Sequence, residues 1–256
     1  MATHRLLPPE EVWRKYDAAE SRLTAPLSER MLDLAGISAG KRVLDLATGR
    51  GEPAIRAAQR VGPMGRVLGV DPSEALLRMA REKADLAALS NLELRAVEAE
   101  SLDDVAPAAH FDVATVRWGL MYMTSPVSAL ASARRSLTAS GVLVAALWAE
   151  PERVPYFTFP RRVLERYRPQ PPLELEAPGT FRYADPERIE RDFGVAGFAI
   201  EQIEEMDVPV MEAETDAELV AWVRAFGLTR LLADLSEDDQ QRWENELLRE
   251  AAPLRS

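Results

Sequence analysis

The chain has 256 residues, 47% of them hydrophobic, enough for one large core without staples, and no cysteine, which excludes a disulfide framework and a cysteine nucleophile. Its only histidines are His4 and His110, so a histidine-based metal site is not expected and no metal is assigned. The formal net charge of −11 argues against DNA or RNA as partner, because nucleic-acid binding draws on basic patches that release counterions from phosphates.

The pairs Arg134-Arg135 and Arg161-Arg162 read as solvated helix faces among many acids. The first twenty residues mix prolines and charges instead of forming an apolar signal core. The longest apolar stretch, Val142 to Ala149, is too short to span a bilayer, so a cytoplasmic protein is expected.

Pro8-Pro9-Glu10-Glu11 opens a helix to about Ser21, and Leu27 to Leu34 forms a second, making residues 1–40 a helical cap. Lys41 to Leu46 is an aliphatic strand with Asp45 near its end. The loop after it has two glycines, Gly49 and Gly51, that let the backbone pass close to a ligand. Glu52-Pro53 opens a helix, since proline is tolerated in the first turn. Gly62-Pro63-Met64-Gly65 turns the chain into a second buried strand, Arg66 to Val70. Asp71 lies just past that strand's carboxyl end, where open parallel sheets bind ligands and an acid can accept two ribose hydroxyls. Strand, glycine loop, helix, strand and acid together read as a nucleotide-cofactor cradle. The loop also fits G-x-G-x-x-A, so a nicotinamide-dependent oxidoreductase is a rival, and Asp45 bears on the choice.

Helices and strands alternate to about Trp148, the mark of a parallel sheet with crossovers, so residues 41–150 form the core. Val154 to Tyr167 reads as a helix broken by Arg168-Pro169-Gln170-Pro171-Pro172. Asp185 is an N-cap with Pro186 in the first turn, and Phe198 to Ile203 alternates like a sixth strand. Ala217 to Leu232 and Ser236 to Ala251 are helical, the latter with a good start at Ser236. Residues 185–256 would complete the sheet within one domain.

Asp45, Gly49, Gly51 and Asp71 fall on the first motif of the class I S-adenosylmethionine-dependent methyltransferases, hydrophobic-hydrophobic-Asp-x-Gly-x-Gly-x-Gly with an acid ending the second strand, and the chain resembles that family. Ala47 replaces the family's first glycine and Glu52-Pro53 follows Gly51, departures that also occur in the branch resembling quinone-biosynthesis C-methyltransferases and natural-product methyltransferases. Asn91 to Arg95 and Glu98 to Leu102 look like the third strand and the Gly-Asp-Ala-Glu-x-Leu after it. Phe111 to Met121 is similar to the fourth strand and its loop, and Leu137 to Val144 to the turn and fifth strand, although that turn ordinarily reads Pro-Gly-Gly.

The resemblance implies an α/β, Rossmann-like fold: a mostly parallel seven-stranded sheet with helices on both faces, an N-terminal cap and a helical lid over residues 151–184. The seventh strand is supplied by Asp207 to Met211, with Pro209 tolerated only at an edge or bulge, or it is absent. The implied cofactor is S-adenosyl-L-methionine, with S-adenosyl-L-homocysteine as product. Asp45, Ala47, Gly49 and Gly51 would surround its methionine part and sugar, and Asp71 would bind the ribose. Pro72 would pack on the adenine, Glu98 and Ala99 would read its edge, the Arg117 carbonyl would meet the ammonium, and Tyr16 would close over the top. Family members acting on amino groups of adenine or glutamine carry Asn/Asp-Pro-Pro-Tyr after the fourth strand, where this chain has Arg117-Trp118-Gly119-Leu120.

Methyl transfer from a sulfonium needs in-line orientation and water exclusion more than a strong base. His110 precedes the fourth strand and, at about 3.3 Å per residue, lies roughly 20 Å from Arg117. His4 is an isolated terminal residue, so no catalytic residue is assigned. The expected substrate wall is aromatic and methionine-rich: Trp13 in the first helix, Trp118, Met121 and Tyr122 after the fourth strand, Trp148 and Phe157 after the fifth. The expected reaction methylates an oxygen or carbon of a small aromatic, quinone-like or polyketide-type metabolite, in a monomer or homodimer. A protein of this fold that binds the cofactor for a non-methylating reaction, or without turnover, remains a rival.

Overall fold

A computed structural model describes residues 10–170, 172 and 175–252. The chain divides into two compact units. One, built on a sheet, takes residues 24–148 and 175–208; the other, helical, takes the chain before residue 24, residues 149–174 and those from 209 onward.

Helix α1 (Glu10–Leu23) belongs to the helical unit, and α2 (Ala25–Leu34) opens the sheet unit. There follow β1 (Arg42–Leu46), α3 (Ala54–Val61), β2 (Arg66–Asp71), α4 (Glu74–Leu86), β3 (Leu92–Ala96), a short turn of 3-10 helix over Ala99–Asp104, β4 (Phe111–Arg117), α5 (Pro126–Ser136) and β5 (Leu137–Ala146). After α6 (Pro155–Leu164) in the helical unit, α7 (Pro186–Val195) returns to the sheet unit, its first turn capped by the Asp185 carboxylate, which accepts the Glu187 amide at 2.9 Å.

The strands form one sheet in the order β3-β2-β1-β4-β5, every pair parallel. Parallel strands covered on both faces are near-continuously apolar, and β1 and β2 are. Alternation then sorts their residues. Leu44, Leu46, Leu68, Val70, Ala114 and Val116 pack with Leu130 and Ala133 of α5 and Phe193 of α7. Val43, Val67 and Val113 pack on the opposite face with Leu32 of α2 and the small residues Ala54, Ala57 and Ala58 of α3. Asp45, Thr115 and Arg117 fall at the carboxyl end of this second face, with Asp45 in register opposite Gly69 and Thr115.

The helical unit adds α8 (Asp216–Val223), α9 (Thr229–Ala233) and α10 (Glu237–Ala251) around a core of Val163, Leu164, Val223, Leu232, Trp243 and Leu247. Ser236 caps α10 as expected. The single helix expected over 217–232 is interrupted by a π-helical turn, Arg224–Leu228, a run that holds Gly227, a poor helix former.

The seven strands expected from the resemblance are corrected to five among the described residues. Neither Phe198 to Ile203 nor Asp207 to Met211 is a strand. Phe198 packs on the core, but Ile200, Ile203 and Met206 are exposed and recur every third residue, a spacing that gives a strand no apolar face. The segment is held by side chains instead: Arg30 of α2 grips Glu204 with two bonds of 2.9 and 2.6 Å.

Candidate functional site

The loop between β1 and α3 turns sharply, with Ala47, Gly49 and Gly51 at φ of 51°, 53° and 94°. Three of its amides are tied down: Thr48 N–H donates to the Val70 carbonyl at 2.9 Å, Gly51 N–H to the Thr48 carbonyl at 2.8 Å, and Gly49 N–H to Asp71 Oδ2 at 2.9 Å. The other Asp71 oxygen accepts the Ser73 amide at 2.8 Å, so the acid ending β2 orders two loops through charge-assisted bonds. A Cβ on Gly51 would stand 2.6 Å from Ile55 Cδ1 and 3.2 Å from Ala80, so this glycine lets α3 and α4 close. A Cβ on Gly49 would meet no atom nearer than 3.9 Å, so packing within the protein does not require this glycine.

Beneath the loop, Asp45 is fully buried. Thr115 Oγ1 donates to its Oδ1 at 2.6 Å, whereas Oδ2 makes no bond of ordinary geometry and has only the buried Thr48 hydroxyl beside it. Burial pushes the Asp45 carboxyl up to about 6, against the pull of the Thr115 and Thr48 hydroxyls and the Arg117 charge. An unsatisfied buried carboxylate oxygen costs on the order of 1–3 kcal/mol, and a ligand ammonium would satisfy it. The donor set thus fits the amino-acid end of S-adenosylmethionine.

At the carboxyl end of β4, Arg117 Nη1 donates to Thr24 Oγ1 at 2.7 Å, and its guanidinium lies 5.0 Å from the Trp118 ring. Trp118 has φ of 54°, rare for an aromatic residue, and its ring stacks on Trp148 with centroids 4.4 Å apart and planes 9° from parallel. A Cβ on Gly119 would lie 2.3 Å from the Ala47 Cβ, so the loops after β1 and β4 touch. A strap from residues 179–182 ties down the β4 loop: Gly179 N–H donates to the Met121 carbonyl at 3.0 Å, Arg182 Nη1 to the Met123 carbonyl at 2.6 Å, and the Tyr122 and Thr180 hydroxyls are hydrogen-bonded at 3.0 Å.

The sheet unit therefore brings together Asp45, Ala47, Gly49, Gly51, Asp71 and Arg117, with Pro72 exposed beside them. Glu98 and Ala99 open the turn after β3, with Ala99 buried in the core. Met121 is fully buried in the same core, and burial raises the Tyr122 phenol above its ordinary range, so both serve packing here. Trp13, Tyr16 and Phe157 lie in the helical unit. There Tyr16 packs 4.5 Å from Trp222 and 5.5 Å from Phe226, Trp13 lies 5.1 Å from Phe226, and Phe157 meets Tyr156 at 4.7 Å. His110 sits at the amino end of β4, away from the loops; His4 lies outside the described residues. Among the described residues no group of three or more His, Cys, Asp or Glu could hold a metal ion, and no helix is long and apolar enough to cross a membrane. Thr24, Thr48, Thr115 and Arg182 are parts of the site that the sequence motifs do not flag; only strand register reveals Thr115, which alternates with the apolar residues of β4.

Residues 37–155 match the family model of a methyltransferase domain. The ubiquinone/menaquinone biosynthesis C-methyltransferase UbiE of Serratia proteamaculans (strain 568) is 31% identical over 180 residues, which cover 65% of this chain and 70% of that protein. The chain spans about half the length of the curated relatives it matches at 35% identity (46% and 55%). Among solved structures, a SAM-dependent methyltransferase from Aquifex aeolicus matches with a TM-score of 0.56 at 21% identity, covering 74% of this chain and 89% of that one. The 4+2 cyclase SpnF matches at 0.56 and 21%, covering 88% and 73%. At these identities the two structures speak to the fold, which is the Rossmann-like one. The sheet order, the Asp71-pinned loop and the relatives agree: the chain belongs to the S-adenosylmethionine-dependent methyltransferase family, in its UbiE-like branch.

Proposed function

We propose that this protein transfers the methyl group of S-adenosylmethionine to a carbon or oxygen of a small aromatic, quinone-like or polyketide-type acceptor. The observation that carries the reading is the cradle: a positive-φ glycine loop pinned by Asp71, and under it a buried Asp45 oxygen that makes no bond of ordinary geometry. The relatives named as C-methyltransferases favour carbon as the acceptor atom.

When bound, the cofactor supplies an electrophilic methyl on a sulfonium. Asp45 would receive its ammonium, Asp71, which holds the loop, would receive the ribose, and Pro72, Glu98 and Ala99 would flank the adenine. The Trp118–Trp148 stack offers a flat apolar wall to the acceptor. In-line transfer to carbon or oxygen would release S-adenosylhomocysteine and the acceptor's acidic proton, so the chain's part would be to hold the acceptor against the Trp118–Trp148 wall and to exclude water. His110 lies at the far end of β4 from the site, and proximity and orientation would supply the rate enhancement, a contribution worth on the order of 7–11 kcal/mol in well-oriented systems.

Calorimetric titration with S-adenosylmethionine, S-adenosylhomocysteine and NADH tests the cofactor. Micromolar binding of the sulfur compounds alone is expected, and binding of NADH alone would make the protein an oxidoreductase. Incubating phenols, quinols and enolic polyketides with trideuteromethyl-labelled cofactor then locates the label by mass and NMR. Conversion of an acceptor without label incorporation would replace methyl transfer by another reaction on the same fold.

A further inference from the structure

Residues 175–183 form an arch whose two feet stand on one turn of α7. At the first foot, Arg188 Nη1 donates to the Leu175 carbonyl at 3.2 Å and to Glu176 Oε2 at 2.7 Å. At the second, the fully buried Tyr183 donates its hydroxyl to Asp192 Oδ2 at 3.0 Å. Arg188 and Asp192 are themselves buried and lie four residues apart on the helix, with Nε and Oδ2 3.4 Å from each other. The feet are thus joined, and Tyr183 and Phe193 root them in the core of the sheet unit.

Between the feet, the crown of the arch grips a short helical turn. That turn, Leu120–Tyr122, directly follows Trp118 and Gly119. Its own bonds run from the Tyr122 amide to the Gly119 carbonyl and from the Met123 amide to the Leu120 carbonyl. The later carbonyls, of Met121 and Met123, are taken by the Gly179 amide and the Arg182 guanidinium, at 3.0 and 2.6 Å. The Thr180 and Tyr122 hydroxyls share a further bond of 3.0 Å.

A left-handed conformation at a tryptophan is strained and persists only where its surroundings over-determine it. Trp118, at φ of 54°, is fixed on one side by its amide, which donates to the Ala146 carbonyl at 3.0 Å. On the other side it runs into the gripped turn. The indole that stacks on Trp148 is therefore held between the end of β5 and the crown of the arch.

We propose that Arg182, seconded by Thr180, is a positioning residue for methyl transfer: through the turn Leu120–Tyr122 it fixes the Trp118 ring against Trp148 and so sets the wall that orients the acceptor. The inference rests on the methyltransferase reading above. It makes α7 and the arch part of the machinery of the reaction, with Arg182 acting through the Met123 carbonyl and not on the reacting atoms.

The test reads the wall, the acceptor and the cofactor separately in the full chain. The near-ultraviolet circular dichroism of the indole pair, taken as the wild-type spectrum minus that of Trp118→Ala, reports the stack. Steady-state kinetics with the phenol or quinol that the wild-type protein methylates fastest report the acceptor, and calorimetry with S-adenosylhomocysteine reports the cofactor. Loss of a charge-assisted bond predicts that Arg182→Met lowers kcat/KM for the acceptor about 10- to 100-fold and loses most of the pair signal, with cofactor affinity within about twofold. Arg182→Lys, which keeps a cationic donor, should recover part of both losses, and Thr180→Val should show the same contrast at about 2- to 10-fold. Unchanged acceptor kinetics in Arg182→Met overturn the proposal, as does an equal loss of cofactor affinity, which would make Arg182 a residue of the fold. Lost acceptor turnover with an intact pair signal overturns it too, because Arg182 would then act on the acceptor itself. If Arg182→Met does not fold, Thr180→Val decides by the same contrast. Wild-type protein that methylates none of the acceptors overturns the methyltransferase reading instead, and the pair signal of the variants then decides alone whether the arch sets Trp118.

Discussion

Asp71 Oδ2 accepts the Gly49 amide at 2.9 Å, across 22 residues of sequence, so the acid that ends one strand sets the shape of the loop that follows its neighbour. Removing that carboxylate takes away two loop hydrogen bonds and, on the reading above, the ribose contact. Asp71→Ala should weaken S-adenosylhomocysteine binding by about 100-fold or more and lower the unfolding free energy by about 1–3 kcal/mol. Calorimetry and thermal melts check both, and unchanged affinity would sink the cofactor assignment.

On the proposed reading, the buried Asp45 carboxyl should make cofactor binding depend on pH. Its value is raised from 3.8 to about 6, so the folded state holds its proton more tightly than the unfolded chain. Stability from this group is therefore greatest at low pH and falls between about 4 and 6, by on the order of 3 kcal/mol, with the full cost present above 6. Pairing with an ammonium requires the ionised form, so S-adenosylhomocysteine affinity should rise as pH climbs through about 6 and then level off. Asp45→Asn should bind more weakly at pH 7.5 and lose the rise; an identical pH profile in that variant would remove Asp45 from the site.

The two loop glycines should fail differently when a methyl is added. Gly51→Ala drives a Cβ to 2.6 Å from Ile55 and should cost about 2–4 kcal/mol of stability, from overpacking and a strained positive φ. Gly49→Ala meets no such obstacle and should cost only about 1 kcal/mol of stability, from its positive φ, while reducing cofactor affinity by tenfold or more. Urea unfolding and calorimetry side by side separate the two, and equal stability losses would contradict the packing described for Gly51.

Trp118 is held in a left-handed conformation that presents its ring to Trp148. Trp118→Ala removes the stack, worth about 0.5–1.5 kcal/mol beyond the buried area. It should raise the KM for an acceptor by about tenfold and move that for the cofactor by less than threefold. Equal effects on both would place the indole in the service of the fold.

The heart of this architecture is legible in the sequence because it is local. Strand β1, its glycine loop, α3, β2 and Asp71 lie within about thirty residues, and each residue type states its own conformational need. The sixth and seventh strands are not, because Ile200, Ile203 and Met206 repeat every third residue, so apparent alternation from Phe198 does not continue. The pairings Asp45–Thr115 and Thr24–Arg117 are invisible for another reason: they join residues 70 and 93 positions apart and exist only once β4 has lined up beside β1. Met121 and Tyr122 look like pocket residues by type and position, yet the strap over the β4 loop commits them to packing and to Thr180.

No methyl group fits between Ala47 and Gly119. The glycine loop after β1 and the loop that carries Trp118 therefore bear on each other almost backbone to backbone, with no side-chain rotamer between them to absorb a shift. A displacement of either loop would press directly on the other.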